Sequence, residues 1–251
     1  MDNITSPIKN IYKDGLYIGV DGCRGGWIAA VMDHGEMRLE RYDTITEIIG
    51  NYPVYDSFLV DMVIGLRNSS KQIRPDDLAR KELGSRASTI FPVPSRAAVY
   101  ADGEGAQKKA NQLTLGKSLS KQTSYIIPKI KEIDIFLSAN PKYKNKILES
   151  HPELDFARLS GSVLLSRKKH ADGMNDRIAI LSNYLPNNPL DKLKETAKKL
   201  KCNADDLVDA ICLVVTASLA SHGQCETIPA NPERDETGLF MMLTVPKKSL
   251  E

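Results

Sequence analysis

The sequence predicts an α/β layered domain built on a mixed β-sheet. Three short β-like segments near the start of the chain are separated by glycine-containing turns, a pattern that predicts an antiparallel meander. A continuous apolar run follows at 57–64 and is typical of a strand buried on both faces of a sheet. Most of the remaining chain has helical patterning, and strands interleaved with helices favour an α/β architecture.

The first half of the chain supplies most of the predicted sheet. The meander strands are predicted at 16–21, 27–32 and 37–42, with turns at 22–26 and 34–36. A short helix begins at Thr44, whose hydroxyl can cap it and which is followed three residues later by Glu47. The predicted buried strand 57–64 comes next.

The chain after residue 64 is predicted to be mainly helical. A helix begins at Pro75, with acids in its first turn, and ends near Gly84. Two prolines make 91–96 a loop. Most of 97–137 is predicted to be helical, with breaks at Gly116 and Pro128, and a strand follows at 146–150. Helices are then predicted at 175–184 and 190–200. A long buried helix, capped by Asn203, runs from Ala204 to about Ser221, and a final strand is predicted at 239–245.

We predict a single domain. A length of 251 residues with 41% hydrophobic residues suits one large domain or two small ones. Residues 1–15 are predicted to be a flexible arm, and 16–251 one domain with a mostly helical insertion around 67–145.

Composition excludes several classes of protein. The net charge of +2 indicates no global basic field. The longest apolar run, about 210–220, is shorter than the roughly 20 residues of a membrane span, and the N-terminus lacks a signal-peptide pattern. The four cysteines form no Cys-x-x-Cys pair and complete no zinc spacing with histidine. We therefore expect a cytoplasmic protein with free thiols and no membrane partner.

Four acidic residues lie within or at the end of apolar segments, where an unpaired carboxylate is costly. They are Asp21, Asp61, Glu149 and Asp209. Four such residues on four core elements predict one acidic cluster, for which a divalent cation is a suitable partner. The alternatives are structural: Asp21-Gly22 is a common turn dipeptide, and Asp61 suits a strand end hydrogen-bonded to a loop.

The late helix carries three acids, Asp205, Asp206 and Asp209, on one face. Asn203 is the predicted N-cap, so Asp205 and Asp206 lie in the first turn, where their negative charges interact favourably with the positive end of the helix dipole. This effect fades after the first turn. Asp209 lies beyond that turn. We interpret Asp206 and Asp209 as site residues and Asp205 as a first-turn acid.

Two further groups leave alternatives open. Glu149 or Glu153 can face the cluster, with Glu149 preferred, and His151 is either a proton shuttle or a structural histidine. The basic segment 167–170 and the lysine-rich helix at 190–201 are by default solvated faces. If the cluster handles phosphodiesters, Arg24, Lys168 and Lys169 become the candidate phosphate ligands. The glycines at 22–26 match neither a P-loop nor a dinucleotide-binding fingerprint.

An ordered set of short motifs carries a family resemblance. They are Val20-Asp21-Gly22-Cys23-Arg24-Gly25-Gly26-Trp27, Asp61-Met62-Val63-Ile64-Gly65-Leu66, Phe91-Pro92-Val93-Pro94, Glu149-Ser150-His151-Pro152-Glu153 and Asp205-Asp206-Leu207-Val208-Asp209-Ala210. Together they resemble family 429 of the domains of unknown function, regarded as ribonuclease H-like predicted nucleases. The likeness runs from about Tyr17 to Val245.

The resemblance implies a ribonuclease H-like fold, with a mixed five-stranded sheet and flanking helices, and a metal-dependent nuclease site. Such nucleases carry an aspartate on the first strand, an acid on the strand after the first helix, and one or two acids on the last helix. Asp21, Asp61, Asp206 and Asp209 occupy those places. The expected cofactor is Mg²⁺ or Mn²⁺ and the expected partner is nucleic acid, either DNA or RNA. Glu149 and Glu153 have no counterpart in this scheme.

Two alternative functions follow from the same fold. One is a non-catalytic ribonuclease H-like domain that binds nucleic acid or another partner. The other is an ATPase or phosphotransferase of the actin and sugar-kinase type, which shares an early Asp-Gly turn. Those proteins usually need two such halves, and this chain shows no second Asp-x-Gly phosphate loop.

Overall fold

A computed structural model describes residue 12 and residues 14–185 and 189–248. Most of the predicted flexible arm, 1–11 and 13, lies outside the described residues. The strands are β1 (Leu16–Cys23), β2 (Gly26–Asp33), β3 (Glu36–Tyr42), β4 (Ser57–Val60), β5 (Ile147–Glu149), β6 (Cys225–Ile228) and β7 (Leu243–Pro246). The main sheet has five strands in the order β3-β2-β1-β4-β5, and β6 and β7 form a second, two-stranded sheet.

The main sheet is mixed, as predicted. β1 pairs antiparallel with β2, and β2 antiparallel with β3, so the predicted meander is confirmed. β1 pairs parallel with β4, with Val20 opposite Val60. Because parallel strands end at the same edge of a sheet, the residues that follow Val20 and Val60 lie side by side.

Nine α-helices are found among the described residues, so the α/β class is confirmed. They are α1 (Ile45–Asn51), α2 (Asp76–Leu83), α3 (Arg96–Tyr100), α4 (Glu104–Leu115), α5 (Lys121–Ala139), α6 (Pro152–Ser160), α7 (Ala171–Ser182), α8 (Leu193–Leu200) and α9 (Ala204–Ser221). Short 3₁₀ helices lie at Gly84–Thr89, Pro141–Tyr143 and Pro189–Lys192. No helix within the described ranges is long and apolar enough to cross a membrane.

Several predicted boundaries were wrong. The strand predicted at 57–64 ends at Val60 and the chain then leaves the sheet, although Met62 and Ile64 remain buried. Met62 and Ile64 are apolar because they are buried, and not because they belong to the strand. The final strand, predicted at 239–245, begins only at Leu243, while Leu239 is buried without belonging to a strand.

The predicted break at Pro128 does not occur, because α5 is continuous from Lys121 to Ala139. Proline removes one backbone donor and usually kinks a helix. In α5, residues on both sides of Pro128, including Ile127, Ile130 and Leu137, are buried on one face. Their burial outweighs the local penalty.

The chain forms two compact units. The first contains the described residues of 1–61, 150–226 and 245–251, and the second those of 62–149 and 227–244. The predicted insertion, 67–145, lies within the second unit, which holds α2 to α5. Whether the two units make one domain with an insertion stays a prediction.

Candidate acidic site

Asp21 and Asp61 are placed together by the parallel pairing of β1 and β4. Asp21 lies near the end of β1 opposite Ile28 of β2, and only 8% of it is exposed. The backbone N–H of Asp61 donates to the carbonyl oxygen of Val20 at 2.9 Å, which extends the ladder by one residue. Asp61 is partly exposed. The two carboxylates therefore belong to the same edge of the sheet.

Asp209 reaches this edge from α9. Every residue of that helix from Leu207 to Leu219 is buried. Its backbone lies close to β1 because Gly19 has no side chain: a Cβ at Gly19 would lie 2.2 Å from the backbone nitrogen of Val214. Asp209 is itself 3% exposed, so a charged side chain is enclosed in an apolar helix.

The electrostatics show that these carboxylates interact. Burial raises the pKa of Asp21 well above its ordinary value, and the charges of Asp61 and Asp209 raise it further. Burial likewise raises the pKa of Asp209 to about 6, although Lys168 opposes the shift. Like charges in a buried site disfavour one another's ionised forms. The site is therefore short of positive charge.

Lys168 places a positive charge beside the acidic cluster. Its Nζ donates to Oδ2 of Asp209, and its side chain is 37% exposed against 4% for that of Asp209. Burial lowers the pKa of Lys168, but the carboxylates of Asp209 and Asp21 more than offset this and raise it. The predicted phosphate ligand therefore contacts the acidic cluster directly.

Asp206 is used differently from Asp209. Its Oδ2 accepts hydrogen bonds from the backbone nitrogen of Asn203 at 3.0 Å and from Nδ2 of Asn203 at 3.1 Å. This contact belongs to a capping box at the start of α9. Its charge contributes to the raised pKa of Asp21, but less than those of Asp61 and Asp209. One oxygen of Asp206 thus serves the helix cap.

Each of the two competing glutamates binds an arginine. Glu149, in the second unit, accepts from Nη2 of Arg74 at 2.6 and 2.8 Å and from the backbone nitrogen of Ile64 at 2.8 Å. Glu153, in the first unit, accepts from Nη2 of Arg177 at 2.8 Å. Both glutamates have a structural partner, and a role for Glu149 in the site stays a prediction.

The other predicted residues lie in different surroundings. His151 precedes α6 and is partly exposed; its Nδ1 is buried and has no hydrogen-bond partner among the residues described. Arg24, in the turn between β1 and β2, and Lys169 are exposed. Their roles as proton shuttle and phosphate ligands stay predictions.

Sequence reasoning missed Asp155 of α6. This residue is completely buried, and its Oδ2 accepts from Oγ of Ser150 at 2.7 Å. Burial raises its pKa well above the ordinary value, and the charge of Asp61 adds to the effect. A signal was present, because Pro152 with acids in the next positions is typical of a helix start. From the sequence we considered Glu153 of this helix but predicted neither α6 nor a role for Asp155.

The donor set suits a hard divalent cation in its chemistry. Carboxylate oxygens are the ligands that Mg²⁺ and Mn²⁺ prefer, and a cation would relieve the repulsion that raises the pKa of Asp21. Within the described part of the chain, however, no group of three or more His, Cys, Asp or Glu side chains is arranged to hold a metal ion. A cation bound to Asp209 would compete with Lys168 for that carboxylate.

Comparisons with known proteins identify a family. The sequence model described as "Protein of unknown function (DUF429)" matches residues 19–234, which include every predicted site residue. Searches of curated proteins and of solved structures gave no match.

Proposed function

Since this chain belongs to the DUF429 family of proteins of unknown function, we propose from its own site that it is a metal-dependent nuclease. The observation that carries the proposal is the meeting of Asp21, Asp61 and Asp209 at one edge of the sheet, where the charges of Asp61 and Asp209 raise the pKa of Asp21 and the charge of Asp61 raises that of Asp209. Phosphodiester hydrolysis in a ribonuclease H-like fold needs such a carboxylate cluster.

Asp21, Asp61 and Asp209 would hold Mg²⁺ or Mn²⁺, with Asp206 in support through its other oxygen, Oδ1. When bound, the cation supplies Lewis-acid polarisation of the scissile phosphate and activation of a water molecule. Asp21 and Asp209 are buried, so the surrounding protein holds their carboxylate oxygens in place and bulk water contacts them little. Lys168, Lys169 and Arg24 would bind phosphate oxygens of a DNA or RNA strand.

The cytosol is the compartment that we propose. Cys23, Cys202, Cys212 and Cys225 are all free, and free thiols persist in a reducing compartment.

Calorimetric titration of Mn²⁺ and Mg²⁺ into wild type, Asp21→Ala and Asp209→Ala tests the proposal, followed by a cleavage screen on labelled DNA and RNA. We expect both variants to lose cation binding and cleavage while their circular dichroism spectra stay unchanged. Exposed Asp172→Ala, on α7, is the matched control and should behave as wild type. Undiminished cleavage by Asp21→Ala would overturn the proposal.

One observation favours a second candidate, a non-catalytic ribonuclease H-like binding domain. Lys168 already neutralises part of the cluster through Asp209, as expected where a lysine has replaced a cation. A wild-type protein that binds neither cation, even with a non-cleavable oligonucleotide present, would support this candidate over the nuclease.

A further inference from the structure

A cavity of about 940 Å³ lies within the first unit beside the acidic site. It is lined by the segment 168–171, the face of α7 that carries Met174 and Ile178, the residues 190–195, and the start of α9. Its volume falls in the range of small-molecule sites, roughly 300–1,000 Å³. Lys168 lines the cavity and also donates to Asp209, so the cavity and the acidic site share a wall.

The lining combines an apolar part with a charged part. The apolar contribution comes from Met174, Ile178, Leu190 and Leu193. The charged contribution comes from four lysines, at 168, 169, 192 and 194, and three acids, at 191, 195 and 205. Because the acids nearly balance the lysines, the cavity suits one or two phosphates rather than a long polyanionic backbone.

The lysine-bearing segment is held firmly against α7. Gly173 allows the backbone of Arg167 to approach, since a Cβ there would lie 2.2 Å from the Arg167 carbonyl oxygen. The backbone nitrogen of Met174 donates to the carbonyl oxygen of His170 at 3.0 Å. Buried Arg177 donates through Nη1 to the carbonyl oxygen of Ser166, which lies two residues before Lys168, at 3.4 Å. These contacts position Lys168 and Lys169 at the cavity wall.

We propose that this cavity binds one unpaired nucleotide, with its base against Met174 and Ile178 and its phosphate beside the lysines. The inference rests on the proposed nuclease function for the identity of its ligand, and it assigns that function a substrate class: single-stranded nucleic acid or a free nucleotide. A paired base is held in the duplex stack and cannot enter a concave site, whereas an unpaired base can be splayed into it.

Fluorescence anisotropy with the full chain in EDTA tests the inference without cleavage. The probes are a fluorescein-labelled single strand of about 12 nucleotides and a duplex of the same sequence, with adenosine monophosphate as competitor. We expect the single strand to bind about tenfold tighter than the duplex. Displacement by the monophosphate assigns the cavity to free nucleotides as well, and its absence assigns the cavity to strands alone.

Two double variants locate the binding. Lys192→Ala/Lys194→Ala removes lysines of the cavity and should weaken single-strand binding by about tenfold. Lys198→Ala/Lys199→Ala removes exposed lysines of α8 that do not line the cavity, and should weaken binding by less than about twofold. Ile178→Glu, at a partly exposed position, should abolish the preference for single strands.

Equal losses in the two double variants, or a duplex bound as tightly as the single strand, would overturn the inference. Its failure is separable from that of the nuclease proposal. Cleavage that depends on Asp21 without any effect of the cavity variants refutes only the cavity assignment. Single-strand binding in the cavity without cleavage by wild type refutes only the nuclease.

Discussion

Gly19 of β1 lies directly against Ala210 of α9: a Cβ at position 19 would lie 2.4 Å from the carbonyl oxygen of Ala210. The obstructing atoms belong to the helix backbone, so no side-chain rotation can relieve the overlap. Since Ala210 follows Asp209, this contact sets how closely the acid approaches Asp21. Gly19 lies within an apolar run that is typical of any buried strand. Its lack of a side chain is nevertheless what lets α9 approach the site so closely.

Gly19→Ala should consequently destabilise the first unit by roughly 1–3 kcal/mol or more, because the helix must move away from the sheet. Chemical denaturation measures the loss. Gly50→Ala is the control: a Cβ there meets nothing within 4 Å, and it lies in α1, so it should stabilise the protein by about 0.4–1 kcal/mol. Equal stability of Gly19→Ala and wild type would contradict the close packing of α9 on β1.

Lys168→Met should strengthen Mn²⁺ binding by about tenfold, because it removes a cation that competes for Asp209. Calorimetry measures the dissociation constant. Lys169→Met changes the same charge at an exposed neighbouring position and should have a smaller effect. Weaker Mn²⁺ binding by Lys168→Met would mean that the ammonium group helps to assemble the site instead of competing with the metal.

Asp155→Asn should flatten the pH dependence of stability. The pKa of Asp155 is raised in the folded state by burial, so folded protein keeps a proton that unfolded protein releases above about pH 4. The free energy of unfolding therefore falls as the pH rises toward the folded pKa, by at most about 1.4 kcal/mol per pH unit for this group.

Urea denaturation of wild type and Asp155→Asn from pH 4 to 8 isolates this contribution from those of Asp21 and Asp209. The variant should gain stability relative to wild type as the pH rises. Exposed Asp172→Asn should follow the wild-type profile. Parallel profiles for wild type and Asp155→Asn would show that Asp155 is ionised in the folded protein.

Arg74→Ala should destabilise the second unit by about 3–5 kcal/mol, because it leaves buried acids without a partner. Arg74 is 1% exposed; it donates to Asp76 Oδ2 at 2.9 Å, to Glu149, and to the carbonyl oxygens of Ile64 and Gly65. Hydrogen exchange should show lost protection in 62–149. Exposed Lys109→Ala on α4 serves as the control, and unchanged exchange in Arg74→Ala would refute the structural role.

Much of the candidate site was predictable because buried acids leave a local trace. Asp21, Asp61 and Asp209 each lie within or at the end of an apolar run, and the structure brings the charges of all three together. For Glu149 the same trace did not reveal the ion pair with Arg74, which joins residues 75 positions apart. Apolar residues on either side of an acid in the sequence indicate that its carboxylate is buried. They do not indicate which positively charged group lies beside it.

By itself, the sequence determined the meander, the buried strand after α1, the long apolar helix α9 and the family, because alternation, glycine turns and caps act over a few neighbouring residues. Tertiary structure alone decided that α5 continues through Pro128 and that Lys168 reaches Asp209. In both cases the cause was burial. The free energy of removing an apolar surface or a charge from water depends on which distant residues of the chain cover or pair with it, and a local sequence pattern does not contain that information.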